Sequence, residues 1–262
     1  MPTVTFNANG GTGSASPTSA FFNPGAAVTT ASQGTLAKTD LKLIGWNTNT
    51  SGTGISYRGA ISVTLSPTSD TTLYAHWAAQ TEYIKAKVYY FFRDKGFTKL
   101  QTAGVMGNIE QESNWNPLRR GSSSTQFWGL FQLNSTLSNQ LHTKYASAGL
   151  DMTKYGYGIS TYWAIGAQNN IPFADLEKIV MTQLDHIYAC KPTGADWITP
   201  VKDATTVNEA AEAFLVRFLG AVTSAQTDAN KIKYFTPALN KYYQETEKRR
   251  TYADSYTSKY YY

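Results

Sequence analysis

The stretch GNIEQESNWNP, from Gly107 to Pro117, decides how the larger part of this 262-residue chain is interpreted. It has the pattern of a helix end, because a proline cannot continue the helix that precedes it. The predicted last turn carries two carboxylates, Glu110 and Glu112. Two residues on a helix are separated by about 200° around its axis, so these side chains cannot both face one site. The stretch therefore offers one candidate catalytic acid, not a pair.

Position favours Glu112 as that acid. It lies nearer the helix end, where the last carbonyls lack partners within the helix and the helix dipole disfavours a charged carboxylate. A general acid must hold its proton near neutral pH, so such a place suits one. Helical periodicity does not choose between Glu112 and Glu110, because each glutamate shares its face with apolar residues.

Composition excludes several classes of function. The formal net charge is +5, and charged residues make up 16% of the chain, which is too sparse for a nucleic-acid interface. No apolar run reaches the roughly 18 residues of a membrane span, so we expect no membrane insertion. A single cysteine, Cys190, rules out an internal disulfide, and His142 and His186 lack partners at metal-ligand spacing. We expect neither a metal nor another cofactor.

The chain divides by composition into residues 1–78 and 79–262. The first region is rich in Gly, Ser, Thr and Asn, and alternating segments are separated by turn residues, which is typical of a small β domain. Four segments carry this pattern: TVTFNAN, KLIGWNT, ISVTL and TTLYAHW. The second region has helical periodicity, with Thr98 and either Thr206 or Asn208 as helix caps. Its predicted helices include residues 158–170 and a long C-terminal helix.

A hairpin is predicted after the helix that ends at Pro117. The segment TQFWGLFQL ends at Leu133, and Gly129 within it permits close backbone approach. Trp128 and Gln132 suit a sugar chain, because aromatic faces stack on pyranose rings and amides bond hydroxyl or acetamido groups. An alternative role for Trp128 is packing inside the core or hairpin.

Residues 3–77 resemble the Listeria–Bacteroides repeat, which is related to the internalin B-repeat. The positions that carry the resemblance are Gly10, Gly11, Gly45, Trp46, Leu73, Tyr74, Ala75 and Trp77. The resemblance implies a compact β-grasp module of bacterial and phage surface proteins, without chemistry of its own. Such a module would space or anchor the second domain, or bind the cell wall. We expect Trp46 and Trp77 to be core residues, with contact to glycans as the alternative.

The second region resembles the lysozyme-like superfamily of goose-type lysozymes and lytic transglycosylases, and its phage tail lysozyme branch most of all. The resemblance rests on the order Gly-Asn, Glu-Ser, Asn-Pro and Gly-Leu-Phe-Gln, and downstream on TQLDHIYA and TVNEAAEAFLVRF. It departs from the branch at Leu219–Ala221, where relatives often have an acidic residue and a proline. The implied fold class is α+β: a small β-grasp-like N-terminal domain, then a mainly α-helical lysozyme-like domain with a short β-hairpin.

The resemblance also assigns roles to residues. Glu112 would be the general acid, and Ser113 would orient it. Gln132 and the backbone at Gly129 would hold the sugar beside the cleaved bond, with Trp128 and Asn116 as further substrate contacts. The implied substrate is the glycan strand of bacterial peptidoglycan. The implied setting is a secreted, virion-associated or lysis-released lysin such as an endolysin or phage tail lysozyme.

The identity of a second carboxylate stays open. No Asp or Glu occurs between Ser113 and Leu150, whereas glycoside hydrolysis usually uses two carboxyl groups. One possibility is that a distant residue (Asp151, Asp175 or Asp185) serves as base, although we expect Asp185 to pack or cap a helix. Another is that water is positioned without a base, and a third is a lytic transglycosylase that forms 1,6-anhydromuramic ends. We expect an N-acetylmuramidase. A non-catalytic wall-binding protein is the alternative from another class.

Overall fold

The computed structural model describes residues 1–65, 67–120, 127–155, 171–191, 196–218, 251–253 and 256. The chain forms two compact units that divide after Ala86. A sheet occupies the first unit and helices dominate the second, which confirms the predicted α+β class. The domain boundary after residue 78 stays a prediction, since the units divide eight residues later, within a helix.

The N-terminal unit is built on a five-stranded sheet in the order β2-β1-β7-β4-β5, beside a two-stranded ribbon of β3 and β6. The strands are β1 (Thr3–Asn7), β2 (Ser19–Phe21), β3 (Ala27–Thr29), β4 (Lys42–Asn47), β5 (Ser56–Tyr57), β6 (Ser62–Thr64) and β7 (Thr71–Ala78). The first and last strands pair in parallel at the centre, from Val4 opposite Thr71 to Asn7 opposite Tyr74. This central parallel pair is the arrangement expected of a β-grasp sheet.

The two predicted core tryptophans lie in this unit. Trp46 is fully buried, its indole N–H donates to the carbonyl of Ala31 at 2.8 Å, and its ring lies edge-on to Phe6. Trp77 is partly buried against the core and donates to the carbonyl of Ala8 at 2.8 Å. The prediction that Trp46 is a core residue is confirmed, and Trp77 packs at the margin of the same core.

The second unit contains most of the helical residues. The helices are α1 (Gln80–Asp94), α2 (Lys99–Ser113), α3 (Ser135–Ser147), α4 (Phe173–Ala189), α5 (Ile198–Asp203) and α6 (Val207–Arg217), with a short 3-10 helix at Met152–Tyr155. Within the described residues no helix is long and apolar enough to cross a bilayer. The helix predicted over 158–170, most of the predicted C-terminal helix and the departure at Leu219–Ala221 lie outside the described residues, whereas residues 251–253 and 256 are helical.

Helix α2 is the central helix of this unit, and every residue from Gln101 to Ile109 is buried. Thr98 caps its N-terminus in a reciprocal capping box with Gln101, as predicted, and Thr206 does the same for α6. Helices α2 and α6 touch closely at Gly104, where a Cβ atom would lie 2.6 Å from that of Ala210. Helix α2, whose last turn carries both glutamates, is thus packed tightly against α6.

Candidate active site

The last turn of α2 holds both glutamates of the GNIEQESNWNP stretch, and both are partly buried. The helix ends at Asn114, which adopts the left-handed conformation (φ 48°) and donates its N–H to the carbonyl of Glu110 at 2.8 Å. Because α2 is buried on all sides through most of its length, its sequence pattern could not show which glutamate faces substrate.

Glu110 is held by a residue that is distant in sequence. The phenol of Tyr256 donates a hydrogen bond to the carboxylate of Glu110. The same phenol oxygen accepts the indole N–H of Trp115 at 2.8 Å, and the Trp115 and Tyr256 rings meet edge to face. Glu110 therefore belongs to a structural network at the end of α2. The role of Glu112 as general acid stays a prediction.

Ser113 and Asn116 shape the chain immediately after Glu112. The buried hydroxyl of Ser113 donates to the carbonyl of Ile109 at 2.9 Å, so its described hydrogen bond stays within α2. The side-chain oxygen of Asn116 accepts the N–H of Leu118 at 2.9 Å, which closes a tight turn after the helix. Orientation of Glu112 by Ser113 and substrate contact by Asn116 stay predictions.

The predicted hairpin is present in reduced form. Trp128 bridges to Arg120 on one side and to Leu133 on the other, and Trp128 and Leu133 exchange backbone hydrogen bonds of 3.0 and 2.9 Å. Thr125 and Gln126, the first two residues of the predicted segment, lie outside the described residues. Between the paired positions lies a tight turn, the Gly129–Gln132 turn, in which Gly129 (φ +80°) and Gln132 (φ 47°) both adopt left-handed backbone conformations. Glycine accepts such a conformation without strain.

The Gly129–Gln132 turn is tied to the segment that follows α2. The carbonyl of Arg119 accepts the N–H of Gly129 at 2.8 Å and the side-chain amide nitrogen of Gln132 at 3.1 Å. That nitrogen also donates to the carbonyl of Gly129 at 2.9 Å. Both N–H bonds of the Gln132 amide are thus used, and no hydrogen bond in the described part of the chain uses its Oε1.

A residue without a predicted role connects the Gly129–Gln132 turn a second time to the segment that follows α2. Gln183 of α4 is fully buried, and its Oε1 accepts the N–H of Leu130 at 2.8 Å. Its Nε2 donates to the carbonyl of Pro117, also at 2.8 Å. The sequence marked this position only through the TQLDHIYA likeness, because its partners lie 53 and 66 residues away.

The comparisons with known proteins decide the family. Residues 84–260, more than half of the chain, match the phage tail lysozyme family. The chain belongs to this family. Residues 3–76 match the Listeria-Bacteroides repeat domain, so both resemblances are confirmed in the expected order. Neither a curated protein nor a solved structure gives a match.

As a phage tail lysozyme domain, the second region has a lysozyme-like, peptidoglycan-degrading function that acts on the cell wall. Two neighbouring aromatic residues of the hairpin, Phe127 and Trp128, differ in their exposure to solvent. Trp128 is 5% exposed, which fits the packing role that was its alternative, whereas the preceding Phe127 is 37% exposed. An unmoved Trp128 ring could not stack on a sugar, and its predicted substrate contact would need the hairpin to shift.

The three candidate partner acids of the lysozyme domain have different surroundings. The carboxylate of Asp151 accepts the N–H and hydroxyl of Thr153, and these hydrogen bonds lower the pKa of Asp151. Asp175 accepts the phenol of Tyr155 at 2.6 Å, and burial with this carboxylate raises the pKa of Tyr155 to about 12. Asp185 is exposed on α4, so the expectation that it packs or caps a helix is wrong. Asp151 and Asp175 thus have local structural partners.

Metal chemistry has no site in the described part of the lysozyme domain. No group of three or more His, Cys, Asp or Glu side chains there could hold an ion. His186 is buried, with Nε2 3.0 Å from the carbonyl of Leu137. Burial, and then the charge of Lys144, lowers the pKa of His186. The ring nitrogen donates in this contact, since a carbonyl can only accept. This histidine is a satisfied core residue.

Proposed function

We propose that the chain is an N-acetylmuramidase that cleaves the β-1,4 bond between N-acetylmuramic acid and N-acetylglucosamine, with Glu112 as general acid. The observation that supports this assignment most is the position of Glu112, a partly buried carboxyl in the last turn of α2. The buried Ser113 follows it directly, and the Gly129–Gln132 turn is hydrogen-bonded to Arg119 in the segment after the helix. A lysin of this kind acts on the wall from the virion, after secretion or after release at lysis.

In the proposed mechanism, the protonated Glu112 donates its proton to the glycosidic oxygen as the bond to the muramic C1 breaks. Positive charge then develops on the ring as an oxocarbenium-like state. The Gly129–Gln132 turn holds the sugar beside this bond. Because both Gln132 amide hydrogens are already used by Arg119 and Gly129, its Oε1 is the group that accepts a sugar hydroxyl or acetamido N–H.

A lytic transglycosylase is the second candidate, and one observation favours it. The sequence has no Asp or Glu between Ser113 and Leu150, and the carboxylates of Asp151 and Asp175 already accept hydrogen bonds from neighbouring side chains. A single glutamate suffices for transglycosylation, because it first protonates the leaving oxygen and then takes the proton of the muramyl 6-hydroxyl. Positioned water without a base would instead give hydrolysis.

Mass spectrometry of the released muropeptides separates these outcomes. Reducing N-acetylmuramic ends identify hydrolysis, and 1,6-anhydro ends, lighter by one water, identify transglycosylation. Reducing N-acetylglucosamine ends would show that a different bond is cleaved and would contradict both candidates.

The role of Glu112 is tested by clearing of purified cell walls. We expect Glu112→Gln to lower the clearing rate by about 10²–10⁴-fold, the usual contribution of a general acid. The matched control is Glu110→Gln on the same turn, which retains an acceptor for Tyr256 and should clear walls within about threefold of the wild-type rate. Equal clearing by Glu112→Gln and wild type would refute the assignment. A wild type that sediments with walls without clearing them would support the non-catalytic wall-binding alternative.

For the N-terminal repeat we propose a role as spacer or wall anchor. Trp46 is fully buried, and Trp77 is partly buried with its indole N–H hydrogen-bonded to the carbonyl of Ala8. Neither indole is therefore placed as a surface on which a sugar ring would stack. This favours the spacer role. Co-sedimentation of the full-length Glu112→Gln protein with walls, in competition with soluble glycan strands, tests it. Binding that the strands abolish belongs to the lysozyme domain, and binding that they leave intact supports a wall anchor.

A further inference from the structure

We propose that Gln183 is a positioning residue of the lysozyme reaction, which sets the place of the sugar-holding turn relative to the end of the catalytic helix. This inference rests on the proposed function of Glu112 and Gln132. Gln183 lies on α4, outside the GNIEQESNWNP and GLFQ stretches, and it is fully buried. It does not face substrate itself, so its effect passes through the backbone that it holds.

The amide of Gln183 bridges the two segments that form the site. Its Oε1 accepts from Leu130 in the Gly129–Gln132 turn, and its Nε2 donates to the carbonyl of Pro117, each at 2.8 Å and each buried. One side chain must therefore donate at one atom and accept at the other. A carboxylate supplies the acceptor alone, and an aliphatic side chain supplies neither.

The turn is shaped to receive this amide. A Cβ atom at position 129 would lie 2.5 Å from Oε1 of Gln183, so the glycine leaves the space that the amide occupies. On its other side the turn is bonded to the carbonyl of Arg119 through Gly129 and Gln132. The turn is thus fixed from both sides, by a backbone carbonyl and by the Gln183 amide.

The link continues from Pro117 back to Glu112. Between them, the N–H of Asn116 donates to the carbonyl of Ser113 at 3.1 Å, and the Asn116 side chain accepts from Leu118. This bonded turn transmits the position of Pro117 to the helix end. Loss of the Gln183 bridge lets the Gly129–Gln132 turn move relative to Glu112, and a misplacement of about 1 Å costs a reaction about 10²-fold.

Steady-state kinetics on soluble, uncross-linked peptidoglycan glycan strands, with reducing or anhydro ends counted, test the inference. We expect Gln183→Leu to lower kcat by about 10–100-fold, with KM within about threefold of wild type, because the transition state needs the alignment most. Gln183→Glu keeps the acceptor for Leu130. Its activity relative to wild type should rise as the pH falls, because the protonated acid regains a donor for Pro117.

A matched control separates positioning from stability. Gln101 is also a buried glutamine whose amide accepts from Thr98 and donates to Lys202 and Ala204, but it lies at the far end of α2. Gln101→Leu should lower the melting temperature by a similar amount and leave kcat within about twofold. All variants are assayed below their melting temperatures, and if Gln183→Leu does not fold, Gln183→Glu alone decides.

Hydrogen exchange gives a readout that is independent of activity. The amide of Leu130 should exchange slowly in wild type and in Gln183→Glu, and faster in Gln183→Leu. A folded Gln183→Leu protein with wild-type kcat, or an equal loss of kcat in Gln101→Leu, would overturn the inference. These outcomes are interpreted together with the activity of Glu112→Gln. If Glu112→Gln is inactive and the Gln183 variants behave like wild type, only the positioning role of Gln183 is refuted. If Glu112→Gln is active, the proposed site itself is refuted.

Discussion

The phenol of Tyr256 donates its hydrogen bond to the carboxylate of Glu110, 146 residues earlier in the chain. The same phenol oxygen accepts from the indole of Trp115, which follows α2 in a left-handed conformation (φ 63°). Tyr256 thus holds both Glu110 and the first bend beyond α2.

We predict that Tyr256→Phe lowers the free energy of unfolding by about 1–3 kcal/mol, because a buried indole donor and a partly buried carboxylate lose their partner. Wall clearing well below the melting temperature should fall less than tenfold, since Glu112 keeps its place. Urea unfolding and a clearing assay measure the two quantities. Tyr188→Phe is the control, because the Tyr188 ring contacts Phe91 and Trp197 and loses no described hydrogen bond.

Local signals explain what the sequence could predict. The cap at Thr98 and the break at Pro117 lie beside the helix that they bound, and the four alternating segments overlap the long strands and β6. The short strands β2, β3 and β5 were missed, because none of them lies in one of the four alternating segments, whereas the equally short β6 lies within ISVTL. The partner of Glu110 is Tyr256, and the side chain that connects the two segments of the site is Gln183. Both partners are distant in sequence, where no periodicity can indicate them.

The close contact between α2 and α6 predicts an unusual cost for a small substitution. On an exposed helix, Gly→Ala stabilises by about 1 kcal/mol. At Gly104 the new Cβ would lie 2.6 Å from the Cβ of Ala210 and 2.7 Å from the backbone nitrogen of Ala211, so the helices must separate. We expect Gly104→Ala to destabilise by about 1–3 kcal/mol in thermal or urea unfolding.

A second substitution checks that this cost comes from the helix contact. Gly104→Ala combined with Ala210→Gly removes the nearest Cβ contact but not that with the backbone of Ala211. The double variant should therefore be more stable than the sum of the two single-variant losses of stability would predict. Additive losses would show that the contact is not the cause.

The buried His186 predicts a loss of stability in mild acid. Burial lowers its pKa in the folded protein, so below the ordinary value of about 6.5 the unfolded chain binds the proton more readily. Stability from this group is complete above that pH and falls as the pH decreases toward the folded-state value, by at most about 1.4 kcal/mol per pH unit. Urea unfolding between neutral pH and pH of about 5 measures it.

The variant His186→Gln isolates this contribution, because its amide can donate to the carbonyl of Leu137 without titrating. We expect its stability to decline less steeply with falling pH than that of wild type. Parallel pH profiles of the two proteins would show that His186 does not control acid sensitivity.

The hydrogen bonds of Asn47 allow a prediction about the stability of the N-terminal repeat. It is fully buried, and its amide nitrogen lies within 3.2 Å of three oxygens, those of Gly52, Gly54 and the Ser56 side chain. Asn47→Asp replaces this donor with a carboxylate oxygen, which can only accept hydrogen bonds and would face three other acceptors. The substitution should destabilise the repeat by about 2 kcal/mol or more. Scanning calorimetry of the full-length protein measures the loss as a lower transition temperature, and Asn23→Asp at an exposed position is the control.

The parallel pairing of β1 with β7 has a mechanical consequence. The chain enters the sheet at Thr3, beside the start of β7, and leaves it at Ala78, at the opposite end of the paired strands. Tension applied to the two ends of the repeat would slide these strands past one another. The hydrogen bonds along the four paired positions would then resist together in shear, whereas an antiparallel end pair would open them one after another. A pull along the strands would therefore load the whole β1–β7 pair at once.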